Sequence, residues 1–260
     1  MSFSAVVPTG GYAGWTFLKR TQARQEAAFQ ADPVQKRDEA YFREKIGSVK
    51  TAEQLVGDRR LLKVALGAFG LEADINNRAF LRKVLEDGSL SRDALAAKLA
   101  DKRYLEFSAA FGFGDFAVSR NQIKGFAEKF LPDYRRRQFE VAVGNSSGSM
   151  RLALNAEREV KALAAKKTTE DARWYTVMGN TPLRTVFQTA FSLPASFASL
   201  DIDRQLGVLK DRAQGIFGDA GVAQFSDPAK LDALLRRYLT QADQGTVSLQ
   251  GKPAALQLLQ

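Results

Sequence analysis

The sequence predicts an all-α protein: a helical bundle or array with internally repeated helix-turn-helix units and two long central helices. Three observations carry this. Apolar residues return at three- and four-residue intervals along most of the 260-residue chain, the spacing that lines one face of a helix. Ser, Thr, Asp and Asn stand repeatedly just ahead of such stretches and Gly just behind them, the order of helix caps and stops. No convincing run of alternating apolar and polar residues marks a strand.

Residues 1–13 are uncharged and contain Gly10-Gly11, and they read as a flexible N-terminal arm. From Gly14 the pattern turns helical through Trp15, Leu18, Ala23 and Ala27. Asp32-Pro33 ends that helix and opens another, carrying Tyr41, Phe42 and Ile46 and ending near Gly47, because proline suits a first turn. Thr51-Ala52-Glu53-Gln54 has the spacing of a capping box, a hydroxyl followed three residues later by Gln. Asp58 is placed to cap the helix of Leu61, Leu62, Ala65 and Phe69, which Gly70 ends. Asp74 or Asn76 precedes a helix closed by Gly88, Ser91 precedes Leu95–Leu99, and Asp101 precedes a helix closed by Gly112. Ser119 is expected to open a long helix, with Pro132 as a kink or a break.

Gly144-Asn145-Ser146-Ser147-Gly148-Ser149 is the clearest linker-like segment, either a sharp turn between long helices or a domain boundary. It separates a helical region over 14–144 from a second over 149–242. The second holds a long helix ended by Lys166-Lys167, a segment capped by Thr168 or Thr169, and a helix started by Thr181-Pro182. Two more helices open at Asp201 and at Ser226-Asp227-Pro228. Residues 243–260 lose the helical pattern and read as a C-terminal tail, with Thr246–Leu249 as a short strand or part of that tail.

Three segments resemble one another. Arg60–Leu71 ends in Ala-Phe-Gly-Leu, Arg103–Phe113 in Ala-Phe-Gly-Phe, and Leu183–Leu193 in Ala-Phe-Ser-Leu. An apolar residue stands four positions before each Phe: Ala65, Phe107 and Phe187. In the first two, Gly supplies the left-handed turn that lets the next apolar residue fold back. Ser192 departs from this, so the stop there is expected from Pro194. The Phe residues read as core.

Composition excludes much chemistry. The chain has no Cys and no His, which removes disulfides, thiol nucleophiles, zinc-thiolate sites, histidine triads and most zinc hydrolases. Carboxylate-only chemistry stays open, but Asp115, Asp133 and Glu140 are scattered, and Asp201 and Asp203 read as helix-capping groups. No catalytic, metal or cofactor-binding residue is nominated, and no cofactor is expected. Net charge is +9 and the pI about 9.7, a balance that attracts nucleic acid, anionic lipid or acidic protein. Basic residues are interspersed with acidic ones. Arg135, Arg136 and Arg137 form the densest run and are the candidate anion or partner contact; most such runs are solvated helix faces. No stretch approaches the about 20 apolar residues of a membrane span, and the order of charge and apolarity at the N-terminus is not that of a secretory signal.

Tyr41-Phe42, Lys50–Leu55, Asp58–Leu62, Ala68–Leu71 and Asp101–Tyr104, with Gly179–Arg184 and Leu200–Asp203, resemble an uncharacterised alphaproteobacterial domain-of-unknown-function family. The likeness covers most of residues 40–240. Members are often encoded in flagellar gene clusters, so the resemblance implies a flagellum-associated setting and no activity or site. The expected function is therefore a non-enzymatic interaction or assembly protein with a protein partner, a flagellar component suspected. It is expected in the cytoplasm or exported by a flagellar secretion apparatus. A basic nucleic-acid-binding module is the alternative, and a carboxylate-only enzyme comes last.

Overall fold

The caps written along the chain form helices throughout. A computed structural model describes residues 3–250, with thirteen α-helices and no strand among the described residues. The chain folds into two units. Unit one comprises residues 3–5 and 22–142, and unit two residues 6–21 and 143–250.

Helix α1 (Gly11–Gln30) contributes its second half to unit one, followed by α2 (Pro33–Lys45), α3 (Ala52–Gly57), α4 (Arg59–Phe69), α5 (Arg78–Glu86), α6 (Leu95–Lys98), α7 (Arg103–Phe111) and most of α8 (Phe126–Gly144). Asp32 caps α2 by accepting from Val34 N–H at 2.7 Å. Thr51 caps α3, accepting from Gln54 N–H at 3.2 Å. Asp58 caps α4, accepting from Arg60 and Leu61 N–H at 2.9 and 3.0 Å. Each bond satisfies an amide left over in a first helical turn. The apolar face of α4 supplies Leu61, Leu62, Ala65 and Leu66 to a core shared with Leu81, Val84 and Leu85 of α5 and with Leu131 and Tyr134 of α8. Five rings close a circuit beside it. Phe69 meets Phe107 and Phe130 at 5.4 Å, Phe107 meets Phe111 at 5.3 Å, Phe111 meets Phe126 at 5.2 Å, and Phe126 meets Phe130 at 4.8 Å. The four-residue steps 107/111 and 126/130 place the rings on one face of α7 and of α8, and mutually tilted rings suit the aromatic quadrupole.

Unit two holds the first half of α1 with α9 (Gly148–Ala165), α10 (Glu170–Gly179), α11 (Thr181–Ala190), α12 (Ile202–Phe217) and α13 (Pro228–Gln250). Helices α9, α11 and α13 pack against one another. Trp174 lies fully buried, its ring 5.3 Å from that of Phe187, and its indole N–H donates to the Ala220 carbonyl at 2.9 Å. Phe187, Phe191, Phe217 and Phe225 complete this cluster.

Several local expectations are corrected. The described part of the N-terminal arm is held: Phe3 N–H donates to Asp32 at 2.8 Å, the Phe3 ring lies 5.3 Å from Phe29, and Ala5 is buried. Helix α1 starts at Gly11 rather than Gly14, while Met1 and Ser2 lie outside the described residues. At the other end, Thr246–Leu249 is helix, not strand: α13 continues to Gln250 because a capped helix propagates at low cost per residue. The rest of the expected tail, 251–260, lies outside the described residues. Ser119 opens only a 3-10 turn at Arg120–Gln122, and α8 begins after Gly125, whose φ is 87°. Pro132 sits inside α8 without ending it. Asn180, not Thr181, caps α11, accepting from Leu183 N–H at 3.2 Å.

The three Ala-Phe endings share a left-handed residue. Gly70 and Gly112 have φ of 70° and 67°. Ser192 takes the same role at φ 53°, and Leu193 N–H reaches back to the Gln188 carbonyl at 2.9 Å. The stop therefore lies at Ser192 and not at Pro194. Leu71 N–H makes the equivalent bond to the Leu66 carbonyl at 3.0 Å. Beyond the endings the surroundings differ: α4 packs against α2, α3 and α7, and α11 against α9, α10 and α13.

Candidate functional site

Consecutive residues on an α-helix point about 100° apart, so Arg135, Arg136 and Arg137 on α8 leave the helix in three directions. Arg135 turns to α2. Its Nε and Nη2 donate to the two carboxylate oxygens of Glu39 at 2.7 and 2.5 Å, a bidentate pairing that also pushes the guanidinium pKa up. Arg136 points outward, its side chain 53% exposed and 3.8 Å from Asp133. Arg137 is half-buried and faces the end of α4; a Cβ added to Gly70 would lie 2.8 Å from its Nη1. The three do not converge on one patch.

The acids that receive these cations went unnominated. Asp38 and Glu39 on α2 are both buried. Asp38 takes Arg60 at 3.1 Å and Lys63 at 2.7 Å from α4, and Glu39 takes Arg43 at 3.2 Å as well as Arg135. Arg43 also reaches Glu128 on α8 at 2.6 Å. Four cations thus neutralise two buried carboxylates, which desolvation would otherwise make costly. One signal was present in the sequence: Asp38 stands four residues before Phe42, so this acid shares a helical face with a core residue. Tyr134 projects beside them, fully buried, with no hydrogen-bond partner for its hydroxyl. Burial first, and then the Asp38 and Glu39 charges, raise its pKa above the usual tyrosine value.

Arg135 and Arg136 do share one feature. A cleft of about 340 Å³ opens in unit one between α1 and α8. Gln22, Glu26, Phe29 and Gln30 line it from α1, and Pro132, Arg135, Arg136 and Phe139 from α8. Its floor is aromatic: the Phe29 and Phe139 rings lie 6.0 Å apart in an edge-to-face arrangement, with the Phe3 ring 6.1 Å from Phe139. Its rim is polar, where Gln22 donates to Glu26 at 2.7 Å. The lining holds one carboxylate and no hydroxyl, thiol or imidazole. Displacement by paired carboxylates takes two such groups facing each other. This cleft can bind by shape, apolar contact and a guanidinium. Among the described residues no cluster of three or more potential metal ligands occurs.

The fold defines a class: an all-α protein, with a cleft between α1 and α8 in unit one. The chain belongs to the family described as protein of unknown function (DUF1217), whose profile matches residues 68–231. It is also similar, at 26% identity and a TM-score of 0.72, to the crystal structure of an Agrobacterium tumefaciens protein solved as a structural-genomics target. That likeness covers 92% of this chain and 98% of the other. No curated protein sequence matches the chain significantly. No helix among the described residues is long and apolar enough to cross a membrane.

Proposed function

We propose that this protein is a non-enzymatic interaction and assembly protein associated with the flagellum. The observation that carries the reading is the α1–α8 cleft, lined by the outward guanidinium of Arg136 and the exposed Pro132 over the buried Phe29 and Phe139 rings. Aromatic rings next to arginine are the residues that contribute most in protein recognition. The charge arrangement supports the same reading over nucleic-acid binding, since Arg135 is committed to Glu39. The flagellar setting rests on the sequence resemblance to a family often encoded in flagellar gene clusters. The protein acts either in the cytoplasm or as a cargo of the flagellar secretion apparatus.

The test is deletion of the gene, a swimming assay, and co-purification with tagged protein, wild type and Arg136→Glu. Loss of motility and capture of a flagellar component that Arg136→Glu fails to retain is the expected result. Normal swimming with no flagellar partner recovered, or tight salt-sensitive binding to DNA instead, overturns it.

A further inference from the structure

Unit one carries a second surface of different chemistry. Nine large apolar side chains are exposed among the described residues, and four of them fall on two adjoining loops: Leu90, Phe116, Val118 and Ile123. Scattered exposed apolar residues are ordinary; such a concentration is not.

The loops that hold them are locked in place. Asp115 turns its carboxylate inward and accepts from Ser89 N–H at 2.7 Å, from the Ser89 hydroxyl at 2.7 Å and from Leu90 N–H at 3.1 Å. Gly114 passes so close to Glu86 that a Cβ there would lie 2.1 Å from the Glu86 carbonyl oxygen. Asn121, fully buried, donates to the carbonyls of Ile46 and Val49, both at 2.7 Å. The apolar side chains are therefore presented by a rigid base.

Cations adjoin them along the chain. Arg92 is two residues beyond Leu90, Lys124 adjoins Ile123, and no ion pair among the described residues engages either. The Arg120 guanidinium stands 4.7 Å from the Phe116 ring and donates through Nη1 to the Ala109 carbonyl at 2.9 Å. Of the nearby acids, Asp115 is turned inward, Asp87 pairs with Lys83 at 2.6 Å, and Asp93, exposed beside Arg92, pairs with Lys98 at 3.2 Å.

We propose that the Leu90 and Phe116–Ile123 loops form a docking surface for an anionic lipid bilayer, with the four apolar side chains entering the headgroup boundary and Arg92, Arg120 and Lys124 meeting lipid phosphates. Apolar tips supply insertion, and basic residues at their base supply attraction to a negative surface. Exposure separates this from a peptide groove. A groove hides its apolar lining from water, whereas Leu90, Val118 and Ile123 are 72%, 66% and 64% exposed. The protein rests on the membrane at this surface and does not span it. This proposal is independent of the α1–α8 cleft and of the flagellar reading.

The test is co-sedimentation of the whole chain with vesicles rich in phosphatidylglycerol and with vesicles of phosphatidylcholine alone. The expected result is binding to the first, weakened by salt, with little to the second. The double substitution Phe116→Ser with Val118→Ser, and separately Arg92→Glu with Lys124→Glu, each lower the bound fraction on the order of tenfold. Leu200→Ser with Ile202→Ser in unit two leaves binding unchanged. Circular dichroism checks that each variant is folded, and Val118→Asp alone replaces the first pair if it is not. No sedimentation with phosphatidylglycerol vesicles, or equal sedimentation of the loop variants, overturns the proposal. So does binding of an acidic amphipathic peptide at these loops without any binding of vesicles.

Discussion

Arg135 holds the buried carboxylate of Glu39 by two parallel hydrogen bonds, 2.7 and 2.5 Å long, across 96 positions of sequence. The pair ties α8 to α2, and Arg43 at 3.2 Å is the second cation on the same carboxylate. Its value to the fold is set less by Coulomb attraction than by what remains when one partner is removed: a carboxylate whose side chain is only 8% exposed, short of a partner.

Arg135→Met is therefore expected to destabilise unit one by about 2–3 kcal/mol, below the range for fully buried pairs because Arg135 is partly solvated and Arg43 remains. Adding Glu39→Gln recovers part of the loss. Urea unfolding of the wild type, both single variants and the double variant measures the coupling.

Tyr134→Phe is expected to stabilise the protein by about 1 kcal/mol. The Tyr134 hydroxyl is buried without a partner, so its desolvation is uncompensated, and phenylalanine keeps the ring packing. A thermal melt of the variant reads the sign directly, and a lowered midpoint would show that the hydroxyl contributes to the fold.

Ser192→Gly is expected to raise stability by about 0.5–1 kcal/mol, because a serine at φ 53° carries the strain of the left-handed region that glycine lacks. Gly70→Ala goes the other way by about 1–2 kcal/mol: φ there is 70° and the new Cβ would crowd the Arg137 guanidinium at 2.8 Å. Opposite shifts in unfolding midpoint for the two variants check the terminator geometry at both ends.

Acid is expected to loosen the loops around Leu90 and Phe116. Burial raises the Asp115 carboxyl, but hydrogen bonds from Ser89 and Leu90 outweigh it and hold the folded pKa below the usual 3.8. A depressed carboxyl contributes stability in full above its unfolded pKa and loses it as the pH falls through the folded value. The contribution is thus constant from neutral pH down to about 4 and fades below. Asp115→Asn lowers stability at neutral pH, and the gap to wild type narrows below pH 4 in a pH series of urea midpoints.

Much of the helical skeleton was legible residue by residue. Asp32, Asp58, Thr169 and Asp201 cap the helices they precede, accepting from amides two or three residues on. Gly70 and Gly112 end theirs in the left-handed region. Ser192 was misread because nothing in its composition announces a left-handed serine; packing around Phe191 and the Leu193 bond impose it. The stretch 244–250 was misread because weak amphipathicity says little once a helix is already nucleated. Of the candidate site, only the arginine run was visible. The α1–α8 cleft, which joins Gln22 to Pro132, leaves no mark in local sequence.

The chain alone settled the all-α class, where many of the helices begin and stop, and which chemistries are unavailable for want of histidine and cysteine. These are matters of nearest neighbours, decided within a turn or two of backbone. Only the folded protein decided that Arg135 meets Glu39, that Arg136 and not Arg137 borders the cleft, and that four apolar side chains on two joined loops stay exposed to water. Those outcomes depend on how distant helix faces bury against one another, and burial acts through space without regard to separation along the chain.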